Sequence, residues 1–149
     1  MKRAVVLSGG GSKGSYEIGV WKALRRLHIK YDIVTGTSIG ALNGALMTQK
    51  TYLKALYIWH KLSLEYLFEQ QPKSDTKKDI LMLYGDNFFK NGGMDIKKIE
   101  DIIRKAINMK RFYKSDIDYG LITYNFSTKK PLVISKKDIS LSYAFCSSA

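Results

Sequence analysis

The segment Gly36-Thr37-Ser38-Ile39-Gly40 sets a hydroxyl midway between two glycines, after the apolar strand candidate Ile33-Val34 and before a helix-like run from Ile39 to Lys50. A serine on so sharp a strand-to-helix turn needs small residues two positions away on each side, because a Cβ there would strike the returning backbone. Glycine meets that demand at both places, so the segment reads as a nucleophile elbow. A helix starting at Ile39 would aim unpaired N–H groups at Ser38 and favour the negative charge that develops when an acyl group is attacked. Ser38 is therefore a candidate acyl-transfer nucleophile.

A second glycine cluster, Gly9-Gly10-Gly11-Ser12-Lys13-Gly14, follows the strand candidate Ala4-Val5-Val6-Leu7. Beyond it, Val20, Leu24 and Leu27 fall at i, i+4 and i+7 beside Trp21, while Lys22, Arg25 and Arg26 take the other side, which predicts an amphipathic helix. Strand, glycine loop, helix, strand, elbow, helix is a βαβα unit. If its strands are parallel, both turns lie at one sheet edge, where open α/β sheets place their sites. Successive glycines let main-chain N–H groups converge on one point. Gly9, Gly10 and Gly11 are thus expected to form an oxyanion hole with the Ile39 amide, Gly10 and Gly11 being the preferred donors. Lys13 brings a positive charge that either steadies the loop or attracts a lipid phosphate.

The two clusters in this order and spacing resemble the opening of the patatin-like phospholipases, a group of lipid acyl hydrolases, with the best match over Met1 to about Gln49. The resemblance implies an α/β fold, a three-layer α/β/α sandwich around a mostly parallel sheet. It implies Ser38 as nucleophile, the glycine loop as oxyanion hole, Lys13 at the basic position, and Gly14, Gly36 and Gly40 as motif glycines. It implies a lipid or phospholipid ester as substrate, and neither cofactor nor metal. It also implies a Ser-Asp dyad whose Asp precedes a glycine, after a Ser/Ala-rich segment like Tyr143–Ala149. None of the nine Asp residues here precedes glycine. The expectation is one domain over residues 1–149, cut short before its base and incomplete at the C-terminus. A serine hydroxyl without a base is a weak nucleophile, so this chain is expected to hydrolyse esters barely or not at all.

Other bases are poorly placed in the sequence. His28 ends the first helix candidate, and His60 lies in Tyr57-Ile58-Trp59-His60-Lys61 with no acid between it and Ser38, against the Ser, acid, His order of a triad. Two alternatives stand beside the hydrolase reading. Gly9-x-Gly11-x-x-Gly14 fits a dinucleotide fingerprint, with Asp32 about 20 residues on, but Asp32 precedes its strand and the Ser38 turn is left unexplained. A phosphate-binding P-loop would need its lysine after the last glycine, whereas Lys13 comes before Gly14. The second alternative is a noncatalytic lipid-binding protein that kept the fold.

Composition bounds the rest. Twenty-five basic against 13 acidic residues give +12, a charge drawn to anionic surfaces such as phospholipid headgroups. The basic residues are scattered rather than interleaved with aromatics, so no nucleic-acid partner is expected. Cys146 is the only cysteine, Ala4–Leu7 is too short for the apolar part of an export signal, and no run reaches the roughly 20 apolar residues of a membrane span, so a cytoplasmic location is expected. Tyr52–Leu62 reads as a core helix, with an acyl groove or lid as its functional alternative. Gln70–Lys78 reads as a loop, Ile96–Ile107 as a helix capped by Asp95, Ile117–Phe126 and Pro131–Ile134 as a hairpin, and Asp138 as preceding a last helix. Missing sheet strands would expose an unpaired edge and favour self-association.

Overall fold

A computed structural model of the chain describes residues 1–61, 104–125 and 127–140. In chain order these form β1 (Ala4–Leu7), α1 (Gly14–Arg26), β2 (Ile33–Gly36), α2 (Ile39–Thr48), α3 (Tyr52–Lys61), α4 (Met109–Lys114), β3 (Asp118–Asn125) and β4 (Lys130–Ser135). Single 3₁₀ turns occupy Gly11–Lys13 and Lys136–Asp138.

The strands form one open, mixed sheet in the order β1-β2-β3-β4. β1, β2 and β3 are parallel and β4 returns antiparallel on β3. The register sets Leu7, Gly36, Leu121 and Ile134 in one row, and Val5, Val34 and Tyr119 in the row two residues below on the same face. α2 lies on this face across β1, β2 and β3, and every residue from Gly40 to Thr48 is buried. A helix apolar nearly all round is stable only with cover on all sides. Here the sheet covers one side, and α1 and α3 pack against others.

α1 starts where the glycine loop ends and buries Gly14, Ile18 and Trp21, whereas Val20 and Leu27 are exposed and Leu24 is half-buried. The stripe expected from Val20, Leu24 and Leu27 is therefore turned by about one residue. Its direction is set at the helix start, where Gly14 must face Trp59 and Ile39, and Trp21 follows it at i+7 into an edge-to-face contact with Tyr52, ring centroids 5.2 Å apart. The helix ends at His28, whose φ of 53° is left-handed, with Ile29 N–H donating to the Leu24 carbonyl at 2.9 Å and His28 N–H to the Arg25 carbonyl at 3.2 Å.

α3 runs as the sequence predicts, with Tyr52, Ala55 and Ile58 in the core and Leu53 and Tyr57 exposed. α4 has no counterpart in the sequence reading. The Asn108 side chain caps it by accepting from Arg111 N–H at 2.9 Å, and Phe112 is its one buried residue. The hairpin β3–β4 forms as expected, running one residue longer than Pro131–Ile134 at each end of β4.

On the opposite sheet face Val6 is 73% and Val133 68% exposed among the described residues. The expectation of a second helical layer therefore concerns residues outside the described ones. So do the Gln70–Lys78 loop, most of the Ile96–Ile107 helix and the Ser/Ala-rich segment Tyr143–Ala149. The end of that predicted helix is described, and Ala106 and Ile107 are buried. Among the described residues no helix is long and apolar enough to cross a membrane.

Candidate active site

β2 delivers the chain to a turn in which Ser38 takes φ 50° and ψ −130°. A non-glycine residue held there costs on the order of 1–3 kcal/mol and persists only where the surroundings enforce it. The surroundings here are main chain. A Cβ on Gly36 would come within 2.3 Å of the Gly40 carbonyl oxygen, because the turn doubles back on itself. A Cβ on Gly40 would come within 2.6 Å of the Ser8 carbonyl oxygen and 2.8 Å of that of Leu7, because the end of β1 runs beneath the start of α2. Thr37 N–H donates to Leu7 O at 3.3 Å, Gly40 N–H to Thr37 O at 2.9 Å and Ala41 N–H to Ser38 O at 2.8 Å. From β3, the buried Tyr119 hydroxyl donates to Ala41 O at 2.8 Å, and burial pushes its pKa up so that it keeps this proton.

The parallel pairing of β1 and β2 brings the glycine loop to the same edge, and the two turns meet. A Cβ on Gly9 would sit 3.1 Å from Ser38 Cβ and 3.8 Å from its Oγ. Gly10 and Gly11 have φ of 147° and 56°, conformations that turn the loop over toward α1. Among the described residues no main-chain oxygen takes the N–H of Gly10, Gly11 or Ile39, whereas those of Gly40 and Ala41 are committed to the turn. Lys13 donates its N–H to Gly10 O at 3.1 Å, and its side-chain carbons lie 3.5 to 3.9 Å from where a Gly10 Cβ would be, so the lysine stem lies along the loop. Ser38 itself is half-buried.

Sequence reasoning missed the polar group beneath this edge. Asn43 is fully buried in α2, its Oδ1 accepting from Trp59 Nε1 at 2.8 Å. Its Nδ2 donates to the Gly14 carbonyl at 2.9 Å and to Glu17 Oε2 at 2.8 Å. The Glu17 carboxyl is held above its ordinary 4.5 by burial, against the pull of the hydrogen bond from Asn43. The available signal was an asparagine inside an otherwise apolar helix, since a buried amide needs partners.

The described Asp residues stand elsewhere. Asp32 and Asp118 sit at the N-terminal ends of β2 and β3, Asp116 pairs with Lys50 at 2.6 Å beside them, and Asp138 accepts from Ser135 Oγ at 2.5 Å below the end of β4. All four lie toward the sheet edge opposite Ser38. Asp32 accepts from Arg3 N–H at 2.8 Å there, so it does not face the Gly9–Gly14 loop as a ribose-binding acid would. His28 is exposed beyond the far end of α1, roughly 20 Å along a 13-residue helix from the glycine loop. His60 is exposed on α3.

The sequence profile of the Patatin family, described as patatin-like phospholipase, matches residues 5–145 of the 149. The chain belongs to the patatin-like phospholipases. Among curated relatives, lysophospholipase nte1 of Aspergillus terreus is 47% identical over 53 residues, which is 36% of this chain and 4% of the fungal protein. The rat patatin-like phospholipase domain-containing protein 7 is 47% identical over 47 residues, 32% of this chain and 4% of that protein. Triacylglycerol lipase 4 of Saccharomyces cerevisiae is 31% identical over 93 residues, 61% of this chain and 10% of the yeast enzyme. This patatin-like chain thus spans a tenth or less of these relatives' length. VipD from Legionella pneumophila shares the fold at TM-score 0.60 with 14% identity, covering 99% of this chain and 41% of VipD.

Proposed function

We propose that this patatin-like chain carries the nucleophile and oxyanion hole of a serine lipid acyl hydrolase of the phospholipase A or esterase type. The observation that supports the reading above all is the contact of the Gly9 main chain with Ser38, itself held left-handed between Gly36 and Gly40. Attack of Ser38 Oγ on the ester carbonyl forms an Oγ–C bond and moves the carbonyl electron pair onto oxygen. N–H groups of Gly10, Gly11 and Ile39 stabilise that oxyanion. Collapse breaks the C–O bond to the lipid alcohol, which leaves with the proton taken from Ser38, and water then releases the acyl group as the carboxylic acid.

The proton needs an acceptor. No Asp in the sequence precedes glycine, and the described Asp residues lie at the other edge of the sheet, so the reading has the 149 residues acylated slowly and turned over barely. A form of the domain carrying an Asp-Gly pair would be fully active. What remains without a base is the oxyanion hole and binding, which retain part of the rate enhancement. Lys13 on the loop and the net charge of +12 suit an anionic phospholipid surface.

The test is covalent labelling. A fluorophosphonate probe is expected to modify Ser38, read by intact mass and peptide mapping, and Ser38→Ala is expected to abolish it while folding as wild type. Labelling that survives in Ser38→Ala removes the serine from its role. Saturable lipid binding with no labelling at all identifies a noncatalytic lipid-binding protein, and saturable nucleotide binding without labelling the dinucleotide alternative.

A further inference from the structure

α3 carries a second stripe that the fold leaves uncovered. Its core face is Tyr52, Ala55 and Ile58, yet Leu53, Leu56, Tyr57 and His60 recur at i, i+3, i+4 and i+7 on the side turned to solvent. Leu53 is 77%, Tyr57 65% and Leu56 41% exposed. A single exposed leucine needs no explanation, but apolar side chains aligned along one helix face mark an interaction surface. The stripe runs toward the site. At its far end the Trp59 ring stands 2.7 Å from where a Gly14 Cβ would be, with Ile39 Cγ1 at 2.9 Å, so α3 reaches the edge that carries the glycine loop and Ser38.

Cations border the stripe on both margins, which Tyr52 and Lys54 mark at about 3.6 residues per turn. On the Tyr52 margin the Arg25 guanidinium of α1 lies over the Tyr52 ring, 4.4 Å from its centroid, and Lys22 and Arg26 of the same helix are exposed. On the other margin the exposed Lys54 donates from Nζ to the main-chain carbonyl of the exposed Lys105 at 2.6 Å, a bond that leaves its charge unpaired by any acid. The one carboxylate of α1 and α3, Glu17, is half-buried and accepts from Asn43 Nδ2. We propose that this outer face of α3, with the α1 cations beside it, docks the protein on an anionic phospholipid surface and sets the Ser38 edge against it. Leu53, Leu56 and Tyr57 would enter the boundary between headgroups and acyl chains, where an aromatic ring with a polar tip is favoured, while the cations meet the phosphates. A second copy of the chain packed on the same face would bring these cations opposite one another, and a neutral apolar partner would strip them of water without pairing them. The link to Ser38 rests on the hydrolase reading; the docking surface itself does not.

The experiment is flotation of the 149-residue chain with vesicles of phosphatidylserine and phosphatidylcholine, against vesicles of phosphatidylcholine alone, at low and high salt. Fluorophosphonate modification of Ser38 is measured on the same proteins without vesicles. Wild type is expected to float with the anionic vesicles, less so in high salt, and weakly with phosphatidylcholine. Leu53→Gln combined with Tyr57→Gln should lower the partition coefficient on the order of tenfold for each side chain. Lys22→Gln combined with Arg26→Gln should lower it about fivefold for each charge on anionic vesicles and leave phosphatidylcholine binding unchanged. Val133→Thr, on the opposite sheet face and as exposed as these residues, should bind as wild type. All of these side chains are exposed, so the variants should melt near wild type and react with the soluble probe at its rate.

Undiminished anionic-vesicle binding in the Leu53 and Tyr57 variant, or an equal loss in Val133→Thr, would overturn the docking surface and leave the hydrolase reading intact. So would a wild-type chain that ignores vesicles and instead forms a dimer in sedimentation velocity that the Leu53 and Tyr57 variant dissolves, since the stripe would then belong to a second copy. If wild-type Ser38 is not modified, the hydrolase reading fails, and flotation alone decides whether α3 docks on lipid.

Discussion

Replacing Gly9 by alanine separates the meeting of the two turns from the stability of the fold. Gly9 does not share the positive φ of Gly10 and Gly11, so the alanine backbone is unstrained and only its Cβ matters. That Cβ would stand 3.1 Å from Ser38 Cβ, where carbon pairs prefer roughly 3.5–4.0 Å, so loop and serine must part by roughly 0.5 Å. Since a misplacement of about 1 Å can cost 10²-fold, the opening should slow acylation about tenfold, or ~1.4 kcal/mol of barrier. Stability should move by less than about 1 kcal/mol, because the steric cost is offset by the lower entropy of the unfolded alanine chain. The assay is the rate of fluorophosphonate modification of Ser38 by intact mass, with a thermal melt on the same samples. Gly9→Ala labelled at the wild-type rate, with unchanged melting, would show that the loop does not act on Ser38.

His28→Gly should stabilise the chain by about 0.5–1 kcal/mol, because the position is left-handed and exposed, and should leave Ser38 labelling unchanged; slower labelling would reinstate the histidine as a site residue. Tyr119→Phe removes the hydroxyl that donates to Ala41 O and should cost about 1 kcal/mol in urea unfolding, with no cost expected if that bond does not pin the start of α2. Glu17 titrates above its ordinary 4.5 in the fold, so between 4.5 and its raised value the native state holds more protons than the unfolded chain, and stability falls as pH rises through that window. Wild type should therefore lose stability relative to Glu17→Gln as pH rises from the ordinary glutamate value through the raised one. A constant difference across that range would show that Glu17 is not buried as described.

What the sequence discloses is what local rules govern. β1, β2 and the start of α2 are legible because glycines punctuate short apolar runs, and the meeting of Gly9 with Ser38 follows from parallel pairing, which sends both strand ends to one edge. The stripe of α1 is misread because Val20, Leu24, Leu27 and Gly14, Ile18, Trp21 share the same spacing, and only the packing of Gly14 against Trp59 chooses between them. α4 escapes because six residues with one buried side chain carry no period. The Asn43 group escapes for another reason. Its partners lie 29, 26 and 16 positions away, so they become neighbours only once three helices have packed.

That distribution of partners bears on how a strained serine is kept. Left alone, a residue at φ 50° would relax and take the turn with it. Each restraint on Ser38 comes from a different part of the chain: the carbonyls of Leu7 and Ser8 from β1, the Tyr119 hydroxyl from β3, and Asn43 tying α2 to α1 and α3. No one of them fixes the turn, since a helix start tied at one point still pivots. Ties to four other elements, β1, β3, α1 and α3, leave it no direction in which to relax. The strain at Ser38 is thus borne by the tertiary fold as a whole, which explains why the motif glycines read so clearly in the sequence while the residues that hold them in place do not.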